Sequence, residues 1–393
     1  MAAVVFSNIG ELTTNDPTVG DESAMGRIKN GALIVDDGRV VWAGAQRDAP
    51  SADTEIDVEG SAIIPGFVDS HTHLVFAGER SAEFASRMAG EKYDGGGIMN
   101  TVSATRSAST EVLRSTTQVR LDALRAHGVT TVEIKSGYDL TIQGEFRLCE
   151  LASEFSEETT FLGAHVVPDE FRERRDDYVS LVAGEMLTRC APIVRWADVF
   201  CDQGAFSVDE ARHILSRAKS TGLGVRLHGN QLGHTGGIAL AVELDAASVD
   251  HCTFSSSADV EALAGSNTVA TLLPGAEFST KSPYPSGRHL LDAGVSIALA
   301  TDCNPGTSYV TNMGLIIALG VREMGLSVDE ALYAATMGGA QALRRPDIGH
   351  LRQGAKADLA ILNVSSAAHF AYQPGASLVR AVHIGGESPA FWG

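Results

Sequence analysis

Between residues 65 and 344 the chain repeats one unit: a short apolar run rich in β-branched residues, a polar or glycine-containing turn, then a helical pattern. The runs read as strands at 66–70, 129–135, 160–166, 197–201, 224–228, 247–251, 268–273 and 296–301. Residues 208–220 exemplify the helices, with Asp209 and Glu210 in the first turn and Lys219 in the last, each matching the helix dipole. Strands that alternate with helices lie parallel and bury both faces, so this pattern predicts an α/β chain folded as a (β/α)8, TIM-like barrel. An open doubly wound sheet is the alternative, but no Gly-x-Gly-x-x-Gly turn follows the first strand.

The two ends differ from this middle. Gly31-Ala-Leu-Ile-Val, Arg39-Val-Val-Trp-Ala-Gly and Thr54-Glu-Ile-Asp-Val near the start are short runs separated by Asp-Gly and Glu-Gly turns. Asp358-Leu-Ala-Ile-Leu and Leu378-Val-Arg-Ala-Val-His-Ile near the end have the same style. Neither end holds enough strands for its own core. Together, residues 1–64 and 345–393 are expected to form a small β-sandwich domain beside a hydrolase barrel at 65–344.

Chemistry concentrates at the strand ends. His71-Thr72-His73, His228, His251 and Asp302 each stand at or just after an apolar run, which in a barrel is the catalytic face. Residues two apart on a strand face the same way, so His71 and His73 can hold one ion together. One histidine at a strand end is ordinarily a satisfied polar residue. Four such groups at strand ends point instead to a shared metal, and imidazole with carboxylate suits zinc or iron. The expected ligands of this one divalent or trivalent ion are His71, His73, His228 and Asp302. A metal lowers the pKa of its water towards neutrality, and Asp302 beside it is the expected general base. His251 is expected to orient that water or polarise the scissile group. Before the second strand, Tyr93-Asp94-Gly95-Gly96-Gly97 cannot form a stable helix and reads as a lid or substrate clamp.

Composition narrows the class further. Asp and Glu number 49 against 30 Lys and Arg, a net charge of −19, which argues against nucleic acid and anionic membranes as partners. An anionic substrate would then need a local cation. The five cysteines are an odd number without a Cys-x-x-Cys pair, so neither a disulfide scaffold nor a zinc ribbon fits. Reduced thiols in a cytoplasmic protein are the plain reading, with Cys252 and Cys303 as small buried fillers. The first residues lack the basic and apolar regions of a signal peptide, and no apolar stretch approaches membrane-span length.

His71-Thr-His73, the strand spacing and the terminal β-segments resemble the amidohydrolase superfamily over nearly the whole chain. A narrower set resembles the branch that acts in histidine degradation: His71-Thr-His-Leu-Val-Phe-Ala-Gly-Glu-Arg80, Gly95-Gly-Gly-Ile, Ala104-Thr-Arg, Lys135-Ser-Gly-Tyr138, Gly163-Ala-His165, Leu272-Leu-Pro-Gly and Thr301-Asp-Cys-Asn-Pro-Gly-Thr307. The resemblance implies hydrolysis of the cyclic amide of 4-imidazolone-5-propanoate to N-formimidoyl-L-glutamate. By position it implies that Arg80, Tyr93, Tyr138, His165, Gln231, Asn304, Gly306 and Thr307 line the substrate site. For Arg80 the physics agrees, because a guanidinium forks onto a carboxylate and this substrate carries a propionate. A homodimer is the expected assembly, with a small anionic molecule as its substrate. The chain departs from the family in the short spacing after Tyr93, and in His228-Gly-Asn-Gln231 where His-Ala-Asp-Gln or His-Ala-Asp-Glu is common.

Three other readings are open at this point. A two-metal relative would need a bridging carboxylated lysine on the fourth strand, and Ala197-Asp-Val-Phe-Cys-Asp-Gln has none; Lys135 is expected to be structural or an indirect support. A nucleobase deaminase would use a glutamate where Gln231 stands. A silent scaffold would lack ligands, and none is missing here.

Overall fold

The computed structural model describes residues 3–90, 97–385 and 390–391. The chain divides into two compact units: Met1–Asp69 with Asp122–Thr131 and Asn312–Gly393, and Ser70–Leu121 with Val132–Thr311.

The second unit carries a curled parallel sheet. Its strands run in the order Ile297–Leu299, Val269–Leu272, Ser248–His251, Leu227–Gly229, Trp196–Cys201, Thr159–Ala164 and Ile134–Lys135, with Gly224–Val225 also paired to Trp196–Cys201. Every neighbouring pair is parallel. Helices intervene between the strands, and Val208–Ser220 spans the residues that the sequence predicts. Its capping box explains the sharp start: the Ser207 hydroxyl accepts from the Glu210 backbone N–H, and the Glu210 carboxylate accepts from that of Ser207. The two edges of the sheet meet around residues 71–73. Lys135 N donates to Thr72 O at 3.0 Å, Asp302 N to His71 O at 3.1 Å and His73 N to Cys303 O at 3.0 Å. The fold is a TIM-like α/β barrel, and the candidate residues sit where these strands end.

Two strands are interrupted where the sequence suggests continuity. Residues 129–135 split at Glu133 and residues 224–229 at Arg226, both fully buried charged residues. The strand that leads into His71, Phe67–Asp69, pairs with Val129–Val132.

In the first unit, strands from both chain ends form one mixed eight-stranded sheet. The strand Val4–Thr13 lies at its middle, antiparallel to Arg27–Asp36 and parallel to Thr54–Asp57 and Ile63–Pro65. It escapes the sequence reading because Asn8-Ile9-Gly10 breaks the alternation, and its register indeed shifts between Phe6 and Ile9. Leu359–Leu362 pairs with Ile63–Pro65 and Val379–His383 with Leu359–Leu362, while Arg39–Ala45 and Ala390–Phe391 form the two edges. Phe6, Ile9, Leu12, Leu33, Ile63, Leu359 and Ile361 pack into its core. All five cysteines are buried thiols. No described helix is long and apolar enough to cross a membrane.

Candidate active site

Four side-chain groups converge at the closing end of the curled sheet. His71 Nε2 and His73 Nε2 lie 3.5 Å and 3.6 Å from Asp302 Oδ1, and His73 Nε2 lies 3.3 Å from His228 Nε2. A tetrahedral zinc with bonds of about 2.0–2.1 Å to nitrogen separates its ligand atoms by about 3.3–3.4 Å. The spacing of these atoms therefore matches a common metal. The fit extends to the hydrogen bonding: His71 Nε2 is buried without a hydrogen-bond partner, which is costly unless an ion or water faces it. His251 belongs to an overlapping group with His71 and His228, so it too could reach an ion.

The imidazoles are held in the form that binds metals. His71 Nδ1 is 2.7 Å from Asp250 Oδ2 and His228 Nδ1 is 3.0 Å from Asp198 Oδ1. Each carboxylate fixes the proton on Nδ1 and leaves the Nε2 lone pair facing the centre. Burial holds His71, His73 and His251 well below the usual histidine range, with neighbouring cationic groups adding to the effect. The backbone bends sharply here: Asn230, His251 and Asp302 all have left-handed φ, at 56°, 78° and 51°. Such strain in non-glycine residues clusters at functional sites.

A cavity of about 300 Å³ opens over these residues. Its wall includes His73, His228, His251 and Asp302, together with Arg80, Tyr138, His165, Gln231, Asn304, Gly306 and Thr307. Tyr93 lies outside the described residues, as do Gly95 and Gly96 of the expected lid. His165 stacks on His73, with ring centroids 5.3 Å apart. Its Nδ1 is 3.0 Å from the Gly137 carbonyl, which leaves Nε2 as an acceptor. Burial, then His228, lowers its pKa to about 3, so it is neutral. Gly137 has φ of 107° and is packed against that ring, so both the turn and the contact require glycine.

Arg80 is buried, and Glu83 Oε2 accepts from its Nε at 3.0 Å and its Nη2 at 2.6 Å. Gly306 packs directly on Arg80 Nη1. The Gly306 carbonyl accepts from Arg87 Nη2 at 2.7 Å. Asn304 braces the turn: its Oδ1 accepts from Gly306 N and Thr307 N, each at 2.8 Å, and its Nδ2 donates to Asp302 O at 2.7 Å. Asp202 Oδ2 likewise accepts from the Gln231 and Leu232 backbones at 2.6 Å and 2.9 Å.

Residues 62–388 match the amidohydrolase family. The chain is 60% identical to an imidazolonepropionase of Salinispora arenicola over 385 residues, 97% of each chain. It is 56% identical to the imidazolonepropionase of Mycolicibacterium smegmatis over 388 residues, 98% of each. The chain belongs to the imidazolonepropionase family of amidohydrolases. Among solved structures, a zinc complex of atrazine chlorohydrolase from Arthrobacter aurescens superposes with a TM-score of 0.71 at 18% identity, covering 98% of this chain and 94% of that one. Guanine deaminase from C. acetobutylicum gives 0.72 at 16% identity, covering 99% and 100%. Those two likenesses concern the fold.

Relative to the sequence reading, the structure adds a buried charged layer beneath the site. Glu133, Lys135, Asp198, Arg226 and Asp250 are all buried. Lys135, expected to be structural or an indirect support, has its Nζ 2.8 Å from Asp198 and 2.9 Å from Glu133. The signal was present in the strands: Asp198 and Arg226 are charged residues inside apolar runs, and Asp250 directly precedes His251. Period-two alternation puts Asp198 and Phe200 on one face, and Phe200 indeed meets the His228 ring with centroids 5.6 Å apart. Arg172, a second cation on the cavity wall, stands on an irregular stretch where no periodicity could single it out.

Proposed function

We propose that this chain is a metal-dependent hydrolase that opens the cyclic amide of 4-imidazolone-5-propanoate to give N-formimidoyl-L-glutamate, a step of histidine degradation. The observation that carries this reading is the single cavity whose wall holds both Asp302 with its histidines and the buried guanidinium of Arg80.

One divalent ion, zinc or iron, is the cofactor we assign, held by His71, His73, His228 and Asp302. Charge supports the valence: Lys135 and Arg226 are the cations of the buried layer, against carboxylates at Glu133, Asp198, Asp250 and Asp302. Glu133 accepts from Thr72 N, the Thr160 hydroxyl and Lys135 Nζ, as an ionised carboxylate does. A dication offsets that excess of negative charge. When bound, it lowers the pKa of a water and polarises the ring carbonyl.

The chain's own residues do the rest. Arg80 holds the propionate, with Glu83 fixing one edge of its guanidinium. His165, neutral and carrying its proton on Nδ1, accepts a ring N–H, and Tyr138, Gln231 and the turn at 304–307 enclose the ring. Asp302 takes the proton of the attacking water while His251 orients that water. A C–O bond forms at the carbonyl carbon, the ring C–N bond breaks, and the proton on Asp302 passes to the leaving nitrogen. Gln231 can donate and accept hydrogen bonds here but cannot carry that proton. We further assign residues 65–344 to the catalytic barrel domain and residues 1–64 with 345–393 to a small β-sandwich domain. A cytoplasmic homodimer is the assembly we propose.

The test is an assay that follows loss of imidazolone ultraviolet absorbance while ammonia is measured in parallel. Ring opening without ammonia supports the reading, and ammonia release would move the chain to the deaminases. Arg80→Met should raise KM for imidazolonepropionate by roughly 30-fold or more, as loss of a buried bidentate contact does. An analogue without the carboxylate should be far less affected. Equal losses for both compounds would mean that Arg80 serves the loop and not the substrate.

A further inference from the structure

We propose that Lys135 is a positioning residue for the metal site: one buried ammonium sets metal affinity by fixing both carboxylates that orient His71 and His228. The proposal rests on the metal reading above and adds a residue that touches neither ion nor substrate.

An ordinary structural lysine makes one ion pair and keeps its ammonium near solvent. Lys135 does neither. It is fully buried, and its Nζ lies 2.8 Å from Asp198 Oδ2, 2.9 Å from Glu133 Oε1 and 3.9 Å from Asp250 Oδ2. Two of those carboxylates are the ones that hold ligand histidines by Nδ1. Asp198 Oδ2 lies 2.8 Å from Lys135 Nζ and 3.0 Å from His228 Nδ1, and its Oδ1 is also 3.0 Å from that nitrogen, so the ammonium and the imidazole share one carboxylate. Asp250 faces His71, Lys135 and Arg226 with the same oxygen, Oδ2. The third carboxylate acts on the histidine pair through the backbone. Glu133 Oε2 accepts from Thr72 N at 3.1 Å, and Lys135 N donates to Thr72 O at 3.0 Å. Thr72 is the residue between His71 and His73.

The physics follows from these contacts. An ammonium is a compact charge with three donors, suited to draw several carboxylates to one point. Without it, Asp198 and Asp250 are like charges in a dry interior and repel one another. Their displacement carries the Nδ1 hydrogen bonds with it and tilts the Nε2 atoms away from their common focus. Outer partners of ligand histidines typically govern metal affinity by about 10- to 100-fold.

The test measures zinc affinity by chelator competition on the full chain, for the parent, Lys135→Met, Asp198→Asn and the double variant. Cobalt-loaded samples report ligand geometry through their visible spectra. Lys135→Met is expected to bind zinc about 10- to 100-fold more weakly, and to shift the cobalt bands in the direction that Asp198→Asn shifts them. Because part of the Lys135 effect reaches His228 through Asp198, the losses of the two single variants should fall short of multiplying in the double variant. A folded Lys135→Met with parental zinc affinity and cobalt spectrum would overturn the proposal, as would losses that multiply in the double variant. If Lys135→Met does not fold, the double variant, which removes a cation and an anion together, decides the matter against Asp198→Asn alone. A parent chain that binds no zinc or cobalt would overturn the metal reading itself, an outcome distinct from any difference among the variants.

Discussion

A methyl group at residue 306 would overlap Arg80 Nη1, and the backbone there is not left-handed, so the requirement for glycine at this position is steric. Gly306→Ala should therefore push the guanidinium off its site without removing its charge. The expected result is a KM for imidazolonepropionate raised by roughly tenfold, with little change in kcat, since about 1.4 kcal/mol of lost contact is a factor of ten. An unchanged KM would show that Arg80 has room to adjust. Asp302→Asn separates a different role. It keeps a ligand oxygen but removes the proton acceptor, so kcat should fall by about a hundredfold or more while some metal is retained. Steady-state rates with metal content measured on the same sample check this, and a parental rate would exclude Asp302 as the base. Both positions were legible in the sequence as members of Thr301-Asp-Cys-Asn-Pro-Gly-Thr307. The bracing of that turn by Asn304 was not, because hydrogen bonds inside a turn leave no spacing signature.

At the scale of single elements, the helix Pro274–Thr280 buries an acid. Burial raises the Glu277 carboxyl to about 8, against the pull of the Thr253 hydroxyl 2.6 Å from Oε1. The folded chain thus keeps a proton that the unfolded chain releases near 4.5. Between those values the unfolded state binds fewer protons, so stability falls as pH rises, by roughly 1.4 kcal/mol per unit, and levels off above 8. Glu277→Gln should flatten this dependence. Urea unfolding of parent and variant at pH 5 and pH 8 measures it, and equal pH differences in both would refute the assignment. Strand and helix boundaries such as Val208–Ser220 were readable because caps and dipole-matched charges are local. The central strand Val4–Thr13 was not, since its place depends on partners from distant parts of the chain.

For the whole molecule, the candidate ligands come from segments far apart in sequence, at residues 71–73, 228 and 302, so a shared ion would tie strand ends together across the curled sheet. It would also offset the negative excess beneath the site. Removing the metal with a chelator should lower the melting temperature, and adding zinc back should restore it. At a thousandfold excess over Kd the expected gain is about 4 kcal/mol. Identical thermal unfolding with and without metal would argue against a buried, load-sharing ion.

Local chemistry decided what the sequence could decide: the strand–helix repeat, the histidine and aspartate at strand ends, and the motifs of the imidazolonepropionase family. These depend on side-chain type and short spacing. Which charged residues lie buried together was settled only by the tertiary fold. Glu133, Lys135, Asp198, Arg226 and Asp250 come from four separate strand segments, and each alone looks like an exception within an apolar run. Strand pairing and the curl of the sheet bring these segments within hydrogen-bond or ion-pair reach, where low dielectric makes each charge depend on the others.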